Sequence, residues 1–138
     1  MINAKPEGIA MKKNTTSRKG IAAVEFAIML PVMAIMLFML VEGANAMHAY
    51  SNLVEASREG ARLALMDGET SEIQALVEAI TNELDTEALT TSVTTDAGAN
   101  IVTVEVSYDY QPIGGDTLEM LTGEESLILK AQTSMPLP

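Results

Sequence analysis

Few residues of this 138-residue chain could carry out chemistry, and the residue types that are missing exclude several kinds of site. The chain has no cysteine and a single histidine, His48. Thiol nucleophiles, thiolate zinc sites, iron–sulfur clusters and multi-histidine metal centres are therefore excluded. We find no Ser/His/Asp set, phosphate-binding loop or pair of carboxylates in a recognisable frame. The sequence predicts a protein that is not an enzyme, with no catalytic residue, cofactor or metal site.

The charged residue in the most unusual setting is Glu25. It lies in the segment 21–41, IAAVEFAIMLPVMAIMLFMLV, which holds no other charge. A carboxylate at the centre of a bilayer costs roughly 2.5–3.5 kcal/mol on insertion scales, and somewhat less near the edge. The residues three or four positions away on a helix include no cation: Ile21, Ala22, Ile28 and Met29. Glu25 therefore either extends back to the cytoplasmic face or pairs with a charge on another molecule.

The segment around Glu25 has the length of a transmembrane helix. Its 21 residues would extend about 31 Å as a helix, which matches the hydrocarbon core of a bilayer. The rest of the chain is too small to bury a helix that is apolar on every side. The first twenty residues carry a net charge of +4, which leaves −15 for the rest of a chain whose net charge is −11. The positive-inside rule then places the N-terminus in the cytoplasm.

These features predict a single-pass protein of the inner (cytoplasmic) membrane with three parts. They are a basic cytoplasmic leader (1–20), a transmembrane helix (21–41) and an extracytoplasmic domain (42–138). The strongly acidic remainder argues against a nucleic-acid partner, and nothing implies a small-molecule ligand. Ala44-Asn45-Ala46 supplies a signal-peptidase pattern, so secretion after cleavage at Ala46 is an alternative, although signal-peptide apolar regions are usually 7–15 residues long. Met11 is a second candidate start of translation.

A set of motifs carries a resemblance to a known family. Arg18-Lys19-Gly20, followed by IAAVEF, resembles the prepilin peptidase site of type IV pilin-like proteins. In that family cleavage follows a glycine, with glutamate at +5 and an aromatic residue at +6; these positions fall on Gly20, Glu25 and Phe26, and Ile21 would become the first residue. Together with Leu30-Pro31 and the later ASREGAR (56–62), the pattern resembles the TadE-like pseudopilins of the tight-adherence (Tad) machinery, which assembles Flp pili.

The resemblance implies a minor pseudopilin that is cut after Gly20 and helps to assemble a pilus for surface adherence. Its implied partners are the prepilin peptidase, other pilin-like subunits and the Tad proteins of the inner membrane. Two places are open for such a subunit, the fibre itself or the assembly platform in the membrane. The rival hypothesis, from another class, is an uncleaved membrane-anchored envelope domain that binds a protein partner or a substrate.

The residue types at such a site have a physical reason. Gly20 allows an extended backbone to enter a peptidase cleft that a side chain would obstruct. Cleavage creates an amine on Ile21 with a reference pKa near 8, so it is positively charged at neutral pH. In staggered, packed helices, Glu25 of one subunit can meet that amine on the next subunit. Arg58, Glu59, Gly60 and Arg62 form a second candidate subunit contact. Glu59 and Arg62 are expected to form an i,i+3 ion pair, and Gly60 allows another backbone or helix to approach closely.

The elements that position these residues follow from hydrophobic periodicity, which predicts an α+β, pilin-like fold. We expect one long helix from about Gly20 to Met66, bent at Pro31 and stopped by Asp67-Gly68. A second amphipathic helix is expected at Ser71–Leu84, with Ser71 and Gln74 as a capping box. The expected antiparallel strands, one face of which would cover the helices, are Leu89–Thr95, Val102–Tyr110 and Leu127–Thr133. His48 is expected to be solvated or interfacial.

Overall fold

The computed structural model describes residues 1, 2, 4, 8, 16–66, 70–115, 119, 123 and 126–138, and it confirms the α+β class. The described residues form, in chain order, helices α1 (Thr16–Leu65) and α2 (Thr70–Ile80), then strands β1 (Leu89–Asp96), β2 (Ile101–Tyr110) and β3 (Leu127–Pro136). A short 3-10 turn, Thr86–Ala88, precedes β1. The chain divides into two compact units, Met1–Met39 and Leu40–Pro138.

The first unit contains the N-terminal part of α1. Every residue from Gly20 to Val41 is exposed, so the described part of the fold buries none of the apolar segment. The last two of these residues already belong to the second unit. The helix passes through Pro31 without ending. An apolar surface of this length needs a lipid or protein environment outside the chain. The structure thus presents one N-terminal apolar helix with the length and composition of a membrane anchor.

The second unit contains a three-stranded antiparallel sheet with the order β1-β2-β3. Val93 lies opposite Val104, and Val106 lies opposite Ala131, so apolar residues share one face of the sheet. The turn between β1 and β2 is held by the Asp96 side chain, which accepts hydrogen bonds from the backbone N–H groups of Gly98 and Ala99 at 2.9 and 3.1 Å. The predicted antiparallel meander is confirmed.

The hydrophobic core lies between the inner face of the sheet and the two helices. Its fully buried members come from all three layers: Leu53, Ala56 and Ala61 on α1, Ile73 and Val77 on α2, and Val104, Val106 and Ala131 on the sheet. The expectation that one face of the sheet would cover the helices is therefore confirmed. Ser57 adds a buried polar contact, since its hydroxyl is 2.8 Å from that of Thr133 on β3.

Several predicted boundaries were wrong. Helix α2 ends at Ile80 instead of Leu84, and the buried Thr81 hydroxyl donates to the Val77 carbonyl at 2.7 Å as a turn begins. Because α2 already includes Ser71, this residue does not cap it. Gln74 donates instead to Glu78, one turn further along.

Strand β3 runs three residues beyond the predicted Thr133, because its pairing with β2 continues to Pro136 opposite Ile101. Helix α1 begins earlier than expected, at Thr16, and ends at Leu65, one residue before the expected Met66. The predicted stop signal Asp67-Gly68 lies outside the described residues.

Candidate functional site

The predicted processing site lies within α1. Gly20, Ile21, Glu25 and Phe26 are all helical and exposed. A protease that binds an extended backbone would therefore need to unwind the helix around Gly20. Glycine in a helix is about 1 kcal/mol less favourable than alanine, so the glycine lowers the cost of that unwinding. The backbone at the predicted cleavage position is accessible, and the glycine makes the local helix easier to open.

Glu25 projects from the exposed apolar surface of α1. It forms no hydrogen bond or ion pair with any side chain that the structure describes. This agrees with the expectation from the sequence that the helix of Glu25 supplies no cation to pair with it. Pairing with the Ile21 amine of another subunit stays a prediction.

The second candidate contact forms a charged face further along α1. Arg62 Nη1 lies 3.2 Å from Glu59 Oε1, which confirms the expected i,i+3 pair. Both side chains are largely exposed, so this pair contributes only a few tenths of a kcal/mol. Arg58 is exposed on the same helix and forms no ion pair within the described part of the chain. A role for Arg58, Glu59 and Arg62 in binding another subunit stays a prediction.

Gly60, in the same motif, is buried against its own domain. A Cβ atom at this position would lie 3.2 Å from Val104 Cγ1 and 3.3 Å from Ile73 Cγ2. The close approach expected at Gly60 is therefore made by β2 and α2 of the same chain. The glycine allows α1 to contact both elements at once.

Sequence reasoning missed an anchoring contact made by Glu42, the first charged residue after the apolar segment. Its Oε1 accepts a hydrogen bond from the Tyr110 hydroxyl at 2.5 Å, and its Oε2 accepts one from the Ile113 backbone N–H at 3.2 Å. These two bonds join α1 to the end of β2 and to the residues that follow it. We call this the Glu42 anchor.

The anchor changes the acid–base behaviour of Tyr110. Burial of the side chain, together with the hydrogen bond and the negative charge of Glu42, raises the pKa of the Tyr110 phenol to about 12. The phenol pKa in an unfolded chain is about 10. The folded state therefore keeps this proton at a pH at which the unfolded chain loses it, so this contribution to stability is present below pH 10 and disappears as the pH rises to 12.

We expect Tyr110→Phe to lower the free energy of unfolding by about 1.5–3 kcal/mol at neutral pH, because a carboxylate loses a hydrogen-bond donor. The difference between wild type and variant should shrink between pH 10 and 12. Tyr108→Phe is the matched control, since no described residue bonds to the Tyr108 hydroxyl. Denaturant titrations of full-length protein in detergent, over this pH range, measure both effects. Equal losses in the two variants would contradict a specific role for the anchor.

His48 lies on the exposed side of α1, as predicted. Its Nε2 atom is 3.1 Å from Glu83 Oε2, and both side chains are more than half exposed. Solvent screening makes such a pair weak. Among the residues that the structure describes, no three His, Asp or Glu side chains are placed to hold a metal ion together.

Comparison with known proteins supports the resemblance that the motifs of the N-terminal helix indicate. Residues 20–62, about a third of the chain, match the family model described as TadE-like protein. The matched range begins at Gly20 and ends at Arg62, so it contains the proposed processing site, Glu42 and the charged face. The predicted resemblance is confirmed for these residues. Searches of curated proteins and of solved structures gave no match.

Proposed function

Because residues 20–62 form a TadE-like segment, which links the chain to processes of the Tad/Flp pilus, we propose that it is a minor pseudopilin-like subunit. In this proposal a prepilin peptidase cuts after Gly20, and the mature subunit takes part in pilus assembly and surface adherence. Its partners are other pilin-like subunits and the inner-membrane proteins of the Tad system. The matched family is pilus-associated and is not known as enzymatic, so the subunit acts through contacts.

The observation that carries the proposal is the continuity of α1. An apolar segment that is exposed on every side runs without interruption into a helix whose residues Leu53, Ala56 and Ala61 form the core of an α+β domain. This arrangement suits a subunit that has a hydrophobic helix for lateral packing and a folded domain outside the bilayer. The matched residues extend over both portions of the helix.

The charge distribution supports a single-pass topology in the inner membrane. Five of the eight basic residues lie before the apolar segment, and the chain after it is strongly acidic. The positive-inside rule then directs the leader to the cytoplasm and the domain to the opposite side. In this topology the proposed cut after Gly20 lies at the cytoplasmic face, where the leader is removed while the anchor is kept.

The secreted alternative conflicts with the Glu42 anchor. Cleavage after Ala46 would divide α1 and would remove Glu42 from the domain, which would leave the Tyr110 hydroxyl and the Ile113 N–H without their acceptor. The uncleaved anchored domain keeps the anchor and differs from the main proposal only in its N-terminus. That difference defines the experiment.

We expect intact-mass and N-terminal analysis of the native membrane protein to find a chain that begins at Ile21. The variant Gly20→Leu should accumulate as the full-length precursor, because its side chain obstructs binding of an extended backbone at the cleavage position. Gly43→Leu is the control: this glycine is also on α1, and beyond its chain neighbours and the adjacent helix backbone no atom lies within 4 Å of where its Cβ would be. Piliation that depends on this protein should be lost in the first variant and kept in the second.

The three hypotheses give different N-termini. An uncleaved Met at the start of the wild-type chain favours the anchored envelope domain, and Met47 favours the secreted protein. Normal trimming of Gly20→Leu would refute the prepilin interpretation.

A further inference from the structure

Three large aliphatic side chains are exposed at one end of the sheet. Ile113 follows β2, while Leu127 and Ile128 begin β3; their exposed fractions are 75%, 45% and 63%. Leu127 pairs with Tyr110 and Ile128 pairs with Asp109, so all three lie where β2 ends. We call them the aliphatic end of the sheet. Leaving such groups in water forgoes the free energy that burial of apolar area provides.

The aliphatic end is joined to the point at which the apolar segment ends. Glu42 directly follows Val41, the last residue of that segment, and it accepts hydrogen bonds from the Tyr110 hydroxyl and the Ile113 N–H. Leu40, Val41 and Glu42 belong to the same compact unit as the sheet. The Ile113 backbone therefore lies within one hydrogen bond of the residue that marks the boundary between apolar and polar parts of α1.

We propose that the aliphatic end of the sheet inserts into the interfacial layer of the bilayer. This inference rests on the proposed membrane insertion of 21–41. If Val41 lies at the boundary of the hydrocarbon core, the Glu42 anchor holds Ile113 at the depth of the headgroups, where apolar side chains enter about 5–10 Å. The domain then has a second attachment to lipid.

The geometry favours a lipid surface over a docked protein. Leu127 and Ile128 are consecutive on a strand, so their side chains leave opposite faces of the sheet. A partner that packs on one face covers one of them, whereas a bilayer that meets the end of the sheet covers both. Continuity with the apolar segment through Glu42 gives the second argument for lipid as the occupant.

Charge indicates which lipids suit this contact. Asp109, exposed opposite Ile128, and Glu42 are acidic. Lys130, two residues along β3 from Ile128, is engaged with Glu105 at 3.4 Å. Anionic headgroups attract basic clusters, and here they would meet carboxylates. The contact is therefore apolar in origin and should be at least as strong on zwitterionic lipid as on anionic lipid.

Single tryptophan probes in the full-length protein test the inference, because the chain has no tryptophan of its own. Ile113→Trp and Ile128→Trp report on the aliphatic end. Thr94→Trp is the distal control, since its partner Thr103 lies seven residues along β2 from Tyr110, about 23 Å at 3.3 Å per residue. Leu37→Trp, within the apolar segment, tests membrane insertion itself. Each variant is reconstituted in phosphatidylcholine vesicles that carry bromine at shallow or deep acyl positions.

We expect shallow bromine to quench at least half of the emission of Ile113→Trp and Ile128→Trp, deep bromine to quench less, and Thr94→Trp to keep its emission. Leu37→Trp should be quenched by deep bromine. If Leu37→Trp is quenched while the two end probes behave like Thr94→Trp, the lipid contact is refuted and membrane insertion survives. If Leu37→Trp is not quenched, the premise of insertion fails and the inference falls with it. End probes that are shielded from aqueous acrylamide but not quenched by bromolipid would indicate a protein contact and would also refute the inference.

Discussion

Replacement of Gly60 by leucine should unfold the domain outside the membrane segment. Even the first added carbon would lie 3.2 Å from Val104 Cγ1 and 3.3 Å from Ile73 Cγ2, and three further carbons have no space between α1, β2 and α2. Overpacking of this kind costs about 1–3 kcal/mol, and more where rigid elements surround the site. Because domains are stable by only about 5–15 kcal/mol, we expect a loss of more than about 3 kcal/mol and poor accumulation of Gly60→Leu.

The chain offers a matched control on the same helix. Gly43→Leu adds the same atoms at an exposed position with nothing within 4 Å, so its domain should remain folded. The alanine pair refines the comparison. Gly43→Ala should gain up to about 1 kcal/mol from helix propensity, whereas at Gly60 the tight contacts should cancel that gain. Denaturant titration and limited proteolysis of full-length protein in detergent measure these differences. Equal stability of Gly43→Leu and Gly60→Leu would contradict the packing argument.

The elements of this fold could be predicted because their signals are local. The alternation of Val102, Val104 and Val106 with polar residues specifies β2 and its buried face within one short window. The apolar run of α1 likewise identifies the exposed segment without reference to any other part of the chain. Local signals predict the ends of elements less well. Thr81 continues the helical pattern of the sequence, yet α2 ends at Ile80.

The contacts that hold these elements together could not be predicted, because they join residues far apart in the chain. Glu42 bonds to Tyr110 across 68 residues, and Ser57 bonds to Thr133 across 76. A carboxylate after an apolar run and a tyrosine at the end of a strand are each ordinary in a sequence. Gly60 shows the same limit. Its small size predicted a close approach, but only the packed fold shows that the neighbours are Val104 and Ile73 of the same chain.

The proposed processing and assembly residues differ from these packing residues, since no contact among the described residues requires them. Beyond its chain neighbours and the adjacent backbone of its own helix, Gly20 has no heavy atom within 4 Å of where its Cβ would lie, and Glu25 has no bonded partner among the described side chains. Selection for stability of the isolated chain would replace both, because alanine is a better helix former than glycine and an apolar residue inserts more readily than glutamate. We therefore expect both residues to act through contacts with other molecules.

Replacement of Glu25 by glutamine should leave insertion and cleavage intact and should abolish association with other pilin-like subunits. Gly20 and the basic leader remain in this variant, so the peptidase keeps its substrate. What is lost is the carboxylate that, in our proposal, neutralises the Ile21 amine of a neighbouring subunit. Leaving that buried charge without a partner costs about 3–5 kcal/mol, which corresponds to an affinity loss of roughly a hundredfold or more. Glu25→Ala should behave alike and should insert more easily by about 1 kcal/mol or more.

Two further variants separate the effect of side-chain length from non-specific effects of removing a carboxylate. Glu25→Asp keeps the charge but shortens the side chain, so it should associate more weakly than wild type and better than Glu25→Gln. Glu55→Gln removes a carboxylate from an exposed position of the same helix beyond the apolar segment, and should associate normally. The measurement is co-purification of processed protein from membranes with a tagged pilin-like partner. Wild-type recovery of both Glu25→Gln and Glu25→Ala would show that the side chain only extends to the cytoplasmic face, and the intermolecular pair would have to be abandoned.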